Sequence, residues 1–141
     1  MKRIDDLPLW LGHAGDGRDQ RQILATGIRA VVQLALEEPP LAPPRELLYL
    51  RFPLLDGEGN EPVLLELAIR TVASLLQARL PTLVCCGGGM SRSPAVAAAA
   101  LASVGDGDAS ACLQKIEHFG PMDVSPGLWR EIQVLCESLK S

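Results

Sequence analysis

Short apolar runs alternate with longer helical patterns along the chain. Runs rich in Val, Leu and aromatic residues predict strands over residues 9–12, 29–34, 47–52 and 81–85. Apolar residues spaced three and four apart predict helices over residues 19–26, 62–79, 94–104, 112–119 and 128–139. Because strands and helices alternate, the sequence predicts an α/β fold in which helices flank a central, mostly parallel sheet.

Local signals mark the ends of several of these elements. Gly27 is expected to end the first helix, because glycine adopts the left-handed conformation that commonly follows a helix C-terminus. Pro62 fits the first position of the next helix, where its missing N–H costs nothing. Asp108 is predicted to cap the helix that carries Cys112. The run 81–85 is typical of a buried strand in the middle of a sheet.

Composition and charge narrow the classes of function. With 141 residues, 48% of them hydrophobic, the chain is expected to form a single domain over residues 1–141. The net charge of −4 predicts no broad attraction to nucleic acid or anionic lipid. No apolar run approaches the roughly 18 residues of a membrane span, and no signal peptide is evident. We expect a cytoplasmic monomer that binds neither nucleic acid nor membrane.

The four cysteines do not form a disulfide or zinc-binding pattern. Cys85 and Cys86 are adjacent, whereas Cys112 and Cys136 lie in separate helical patterns. No pair has the C-x-x-C spacing of zinc sites, and we expect neither a metal nor another cofactor. This use of cysteine is typical of a reducing compartment.

The segment that follows the predicted strand 81–85 has the composition of an anion-binding loop. In open α/β sheets, ligands bind at the carboxyl ends of the strands. Consecutive glycines let backbone N–H groups turn inward around an anion, and the helix that starts near Pro94 adds positive potential. The predicted phosphate-binding residues are Gly87, Gly88, Gly89, Met90, Ser91 and Arg92.

Cys86 and Arg92 are suited to phosphoryl chemistry. Positive potential favours the thiolate form of cysteine, which is the nucleophilic form. Arg92 can hold two phosphate oxygens at once, which a lysine cannot do. The structural alternative is a buried cysteine, a turn and a surface arginine, but the arrangement as a whole favours a functional loop.

This segment resembles the signature loop of the cysteine-based protein tyrosine phosphatases, in their dual-specificity branch. The branch pattern Cys-x-x-Gly-x-Ser-Arg-Ser is matched by Cys86, Gly89, Ser91, Arg92 and Ser93. Segments 11–16, 27–34 and 125–129 are similar to an opening strand and turn, a second strand and the start of the last helix of that family. The resemblance therefore covers most of the chain and implies a compact catalytic domain.

The resemblance implies a two-step hydrolysis of phosphate monoesters. Cys86 attacks phosphorus and forms a phosphocysteine, while Arg92 and the loop N–H groups stabilise the phosphoryl oxygens. Water then hydrolyses the intermediate. By resemblance, Ser93 helps Cys86 to leave in this second step. As an alternative or additional role, its hydroxyl caps the following helix.

Asp56 is the expected general acid. It follows the predicted strand 47–52, and the family keeps its acid in a loop upstream of the cysteine. Gly57 and Gly59 are expected to let this loop move over the phosphate. Glu58 is the second candidate for the acid. The structural alternative is that all three carboxylates of the loop, including Glu61, are simply exposed to solvent.

Cys85 departs from the family pattern, which usually has His immediately before the nucleophile. Because cysteine is a weaker hydrogen-bonding group, we expect less support for the loop and slower catalysis. Cys85 is interpreted as a small buried side chain. A redox role, in which Cys85 traps oxidised Cys86, is less favoured because adjacent cysteines form a strained ring.

Three functions compete on the sequence alone. The first is a phosphatase for phosphotyrosine and, as further substrates, phosphoserine and phosphothreonine, acting on a phosphorylated protein or a small phosphomonoester. The second is a phospho-binding module with weak or no catalysis, suggested by the missing His. The third is a sulfurtransferase of the rhodanese kind, which the Ser-Arg-Ser-Pro sequence and the upstream Asp56 disfavour.

Overall fold

The computed structural model describes residues 1–105 and 107–139. The strands are β1 (Lys2–Arg3), β2 (Leu9–His13), β3 (Ala30–Ala35), β4 (Leu48–Leu54) and β5 (Thr82–Cys86). The helices are α1 (Ala14–Arg18), α2 (Gln20–Thr26), α3 (Pro62–Gln77), α4 (Arg92–Ser103), α5 (Ala109–Glu117) and α6 (Pro126–Leu139).

The described strands form one five-stranded sheet in the order β1-β2-β5-β3-β4. β2, β5, β3 and β4 are mutually parallel, and only the short β1 pairs antiparallel. The prediction of a mostly parallel sheet flanked by helices is confirmed. Because β5 is central and buried along its whole length, the loop that follows it starts from a rigid position.

The two faces of β5 enter two different hydrophobic clusters. Val84 and Cys86 pack on the face covered by α3, α4, α5 and α6. Leu83 and Cys85 pack on the other face, against residues that include Ile23 of α2. This alternation follows from the two-residue repeat of a strand, and it places the two adjacent cysteines on opposite faces of β5.

α4 is buried from Arg92 to Leu101, which its small side chains make possible. Four consecutive alanines, 97–100, let the neighbouring helices approach closely. The helix begins at Arg92, two residues before the predicted start at Pro94. Ser91, rather than Ser93, is therefore the residue that precedes the first helical turn.

Other predicted boundaries agree with the structure. Gly27 ends α2 in the left-handed conformation, with φ of 88°. Pro62 begins α3, and the Asp108 side chain accepts a hydrogen bond from the Ala111 N–H at the start of α5. β1 and α1 were not predicted, because both are too short to produce a periodic pattern. No helix in the described ranges combines the length and apolar character that crossing a membrane requires.

Candidate active site

Cys86 is the last residue of β5 and lies at the carboxyl edge of the sheet. Its side chain is buried among the apolar residues of β2, β3 and α4. The loop from Gly87 to Ser91 then connects β5 directly to α4. A thiol at this point is therefore fixed by the central strand, while the N-terminus of α4 begins only six residues later.

Elements outside the loop hold its backbone in shape. The Gly87 carbonyl accepts a hydrogen bond from the Ala14 N–H at 3.2 Å, and the Met90 carbonyl accepts one from the Asp123 N–H at 2.7 Å. Gly89 has φ of 77°, and a Cβ there would lie 2.9 Å from the backbone of Gly12. Only glycine fits this position without strain, so the loop conformation depends on it.

Arg92 is buried at the start of α4 and is held by a carboxylate that follows β3. Nη1 and Nη2 donate to Glu37 Oε1 and Oε2 at 2.7 and 2.5 Å. Nη1 also donates to the Leu54 carbonyl at 3.0 Å, at the end of β4. These contacts come from the ends of two parallel strands, β3 and β4, and they fix the plane of the guanidinium group.

The ion pair changes the titration of Glu37. Hydrogen bonds from Arg92 lower the pKa of Glu37 from 4.5 to about 2, although this side chain is half exposed. The same hydrogen bonds raise the pKa of Arg92. A Cβ at Gly87 would lie 2.6 Å from Glu37 Oε2, so this glycine leaves the space that the ion pair occupies.

The contacts of Arg92 leave one edge of its guanidinium group for a ligand. Of five N–H donors, two on Nη1 and one on Nη2 are used by Glu37 and Leu54. The remaining two belong to Nη2 and Nε and lie side by side. Nε is buried and has no hydrogen-bond partner among the described residues. This free fork has the geometry that binds two oxygens of one phosphate.

Asp56 lies two residues beyond β4 and reaches the loop of Cys86. Its Oδ1 accepts a hydrogen bond from Ser91 Oγ at 2.5 Å. Ser91 Oγ in turn accepts one from the Ser125 N–H at 2.9 Å, just before α6. Asp56 and Ser91 are 35 residues apart in sequence, and the fold brings them into direct contact.

A cavity of about 180 Å³ joins these groups. Its lining residues are Asp56, Cys86, Gly88, Met90, Ser91, Arg92 and Asp123. The predicted nucleophile, arginine and acid thus surround one space of the size of a small anion. Glu58, the second candidate for the acid, is exposed and does not line this cavity.

Ser93 lies in the first turn of α4 and is fully buried. Because the residue before the helix is Ser91, the predicted capping role of Ser93 is wrong. In the part of the chain that the structure describes, the Ser93 hydroxyl makes no hydrogen bond. Its donor is therefore available to another group of the site.

Solved structures with the same architecture identify the fold. The crystal structure of human DUSP28 matches with a TM-score of 0.86 at 25% identity, covering 99% of this chain and 98% of that chain. The chain has the dual-specificity phosphatase fold. This fold fits the cysteine-based protein tyrosine phosphatase superfamily, whose signature loop the Cys86 segment resembles. Neither a protein-family model nor a curated protein sequence matches this chain.

Two further matches share this phosphatase fold at lower identity. A mouse putative dual specificity phosphatase complexed with zinc tungstate has a TM-score of 0.82 and 22% identity, covering 99% of this chain and 87% of that chain. The human tyrosine phosphatase-like serine/threonine/tyrosine-interacting protein has a TM-score of 0.82 and 17% identity, covering 100% and 98%. The dual-specificity phosphatase fold thus spans essentially the whole chain.

Cys85 occupies a tight apolar position on the face of β5 opposite to that of Cys86. Its side chain is fully buried, and a Cβ at Gly17 of α1 would lie only 2.7 Å from its sulfur. Burial raises the pKa of Cys85 to about 12, and the neighbouring Cys86 adds to this shift. Both cysteines are free thiols on opposite faces of β5. The geometry therefore favours the structural interpretation of Cys85 over a redox role.

Three acidic residues of this region were not predicted from the sequence. Glu37 follows β3 at the same sheet edge as Cys86, and its place after a predicted strand is a signal that would have identified it. Asp123 lines the cavity, and Glu131 of α6 contacts the loop of Asp56. Neither carries a local signal, since both depend on how α6 packs against the rest of the fold.

Proposed function

We propose that this chain is a phosphatase that hydrolyses phosphate monoesters through a phosphocysteine on Cys86. The observation that carries the proposal is the convergence of Cys86, Arg92 and Asp56 on one cavity of about 180 Å³. A nucleophile, a fork of N–H donors and a carboxyl group are the three parts that such a reaction requires. The dual-specificity phosphatase fold supports the same conclusion.

The first step forms a sulfur–phosphorus bond and breaks the phosphorus–oxygen ester bond. The Cys86 thiolate attacks phosphorus while the Nε and Nη2 fork of Arg92 binds two phosphoryl oxygens. Asp56 gives its proton to the oxygen of the leaving alcohol or phenol. The Gly87 and Met90 carbonyls accept hydrogen bonds from groups outside the loop. In the proposed reaction the N–H groups of the loop face the phosphate.

The second step releases phosphate. Asp56, now ionised, takes a proton from water as the water oxygen attacks phosphorus, and the sulfur–phosphorus bond breaks. The unpaired Ser93 hydroxyl donates a hydrogen bond to the departing Cys86 thiolate. The enzyme returns to its starting state with inorganic phosphate as product, and no cofactor takes part.

We assign the substrate class as phosphotyrosine, with phosphoserine and phosphothreonine as further substrates, in a phosphorylated protein or a small phosphomonoester. The cavity lining contains two carboxylates, Asp56 and Asp123, and only one cation, Arg92, among the described residues. This charge balance disfavours head groups that carry several phosphates, because additional anionic groups would meet no further cation.

A phospho-binding module with little or no turnover is the second candidate function. The observation that favours it is the bidentate contact between Arg92 and Glu37, which places a negative charge beside the phosphate site. Such a module would still bind phosphate through the free edge of Arg92. Turnover, rather than binding, distinguishes the two functions.

Release of nitrophenol from 4-nitrophenyl phosphate tests the proposal. We expect steady turnover by the wild-type protein and none by Cys86→Ser, in which the hydroxyl is a far weaker nucleophile. Cys136→Ser, which alters a cysteine of α6 outside the cavity, is the matched control and should keep its activity. Tight binding of inorganic phosphate by a folded wild-type protein without turnover would establish the binding module instead.

A further inference from the structure

Glu131, in the second turn of α6, accepts hydrogen bonds from the loop that carries Asp56. Oε2 accepts from the Gly59 N–H at 2.6 Å. Oε1 accepts from the Asn60 N–H and from Asn60 Nδ2, both at 3.3 Å. One carboxylate thus satisfies three donors of a loop more than 70 residues away in sequence.

Asn60 transmits this anchor to the residues on both sides of Asp56. Its Oδ1 accepts from the Leu55 N–H at 2.8 Å, and its Nδ2 donates to the Leu55 carbonyl at 3.2 Å. Nδ2 also donates to the Gly57 carbonyl at 3.1 Å. The backbone before and after Asp56 is therefore bonded to a side chain that Glu131 holds.

The start of α6 approaches the same loop closely. A Cβ at Gly127 would lie 3.1 Å from the Glu58 backbone nitrogen, so the absence of a side chain permits this contact. The sequence predicts a loop that Gly57 and Gly59 leave free to move. In the structure the loop is instead docked on α6, and the φ of 100° at Gly59 serves the turn that presents its N–H to Glu131.

A carboxylate with two acceptor oxygens is the group that the Gly59 and Asn60 donors require. Hydrogen bonds from N–H donors to a carboxylate are about twice as strong as bonds between neutral groups. In Glu131→Gln, one acceptor oxygen would remain and the other position would become an NH₂ donor facing the Asn60 donors. The neutral variant would therefore lose part of the anchor, and Glu131→Ala would lose all of it.

We propose that Glu131 is a positioning residue for Asp56, which holds the acid loop closed against the Cys86 loop. Ser91 holds the carboxyl group of Asp56 by a hydrogen bond, and Glu131 holds the backbone around Asp56 through Asn60. This role rests on the proposed function, because it acts through the acid of that reaction. Loss of Glu131 then weakens proton donation to the leaving group and leaves nucleophilic attack intact.

The positioning role can be measured by how strongly the loss of rate in a variant depends on the leaving group of the substrate. Phenyl phosphate has a poor leaving group that needs the acid, whereas 4-nitrophenyl phosphate needs it much less. For Glu131→Ala we expect kcat/KM, which reports the first step, to fall about tenfold or more on phenyl phosphate and by less than about threefold on 4-nitrophenyl phosphate. Glu131→Gln should lie between Glu131→Ala and the wild type.

The matched control removes a carboxylate from another helix. Glu66 of α3 pairs with Arg70 rather than with the acid loop, so Glu66→Ala should leave the ratio of the kcat/KM values of the two substrates unchanged. Glu131→Ala added to Asp56→Asn should produce no further loss, because the two residues act through one proton transfer. Equal losses on both substrates, or additive losses in the double variant, would overturn the proposal.

Amide hydrogen exchange separates failure of this proposal from failure of the proposed function. The Gly59 and Asn60 amides should be protected in the wild type and exchange much faster in Glu131→Ala, while α3 amides are unchanged. If these amides exchange equally fast in the two proteins, Glu131 does not anchor the loop, even if Glu131→Ala lowers the phosphatase activity. A protected loop in a wild type that turns over neither substrate would refute the proposed function, and with it the positioning role.

Discussion

At the scale of single residues, Arg92 is an ion-pair partner that the proposed function also makes a phosphate ligand. Glu37 and the Leu54 carbonyl use three of its donors and do not engage the Nε and Nη2 edge. The two roles are compatible because they use different edges of one planar group. A lysine has no second planar edge of donors and could not serve both roles of the proposed reaction.

Glu37 predicts a pH dependence of stability. The pKa of its folded-state carboxyl group, about 2, lies below the ordinary value of 4.5. The ion pair therefore stabilises the fold fully above about pH 4.5, and this contribution is lost as the pH falls toward 2. We expect Glu37→Gln to lower the melting temperature most at neutral pH, with the difference from wild type shrinking at acidic pH.

Thermal unfolding from neutral pH to about pH 3 checks this dependence. Glu38→Gln is the matched control, since the neighbouring carboxylate pairs with Arg18 rather than with Arg92. Added salt should reduce the effect of Glu37→Gln only in part, because Arg92 is buried although Glu37 is half exposed. A difference that does not change with pH would show that Glu37 contributes by packing rather than by charge.

At the scale of elements, the loop from Gly87 to Ser91 is shaped by its contact with β2 across the edge of the sheet. Gly89 packs against the backbone of Gly12 at the end of β2, while Gly88 has open space around it. The two adjacent positions therefore differ in whether they require glycine. Gly89 is needed for close approach and a left-handed backbone, and Gly88 has neither constraint.

Gly89→Ala and Gly88→Ala form a matched pair that tests this difference. The left-handed conformation alone costs about 1–2 kcal/mol for alanine, and the contact with Gly12 adds to that cost. We expect Gly89→Ala to lower turnover of 4-nitrophenyl phosphate by about two orders of magnitude, because the loop shifts relative to Arg92. Gly88→Ala should stay within about threefold of wild type. Equal losses would mean that the contact with Gly12 does not shape the loop.

At the scale of the whole molecule, the sequence predicts the frame of the fold well. The alternation of strands and helices and the boundaries at Gly27, Pro62 and Asp108 are visible locally, because apolar spacing and capping chemistry act over a few residues. The resemblance of the Cys86 loop to a family signature agrees with the fold of the solved relatives.

The remaining features depend on contacts between distant parts of the chain. Glu37 meets Arg92 across 55 residues, and Glu131 meets Asn60 across 71. No local pattern encodes such pairs, since each depends on sheet order and on the packing of α6. For the same reason, the contact between the acid loop and α6 is absent from the sequence prediction. The glycines of the loop predict mobility, and the contact comes from a residue of a distant helix.

The central claim is that Cys86 carries the phosphoryl group during turnover. Asp56→Asn should slow hydrolysis of the intermediate while 4-nitrophenyl phosphate still reacts with the thiolate, so the phosphocysteine should accumulate. Mass spectrometry of this variant, quenched in acid during turnover, measures it directly. We predict one added phosphoryl group on the peptide that contains Cys86, and none in the double variant with Cys86→Ser. Turnover with an unmodified Cys86, or with the phosphoryl group on another residue, would contradict the account.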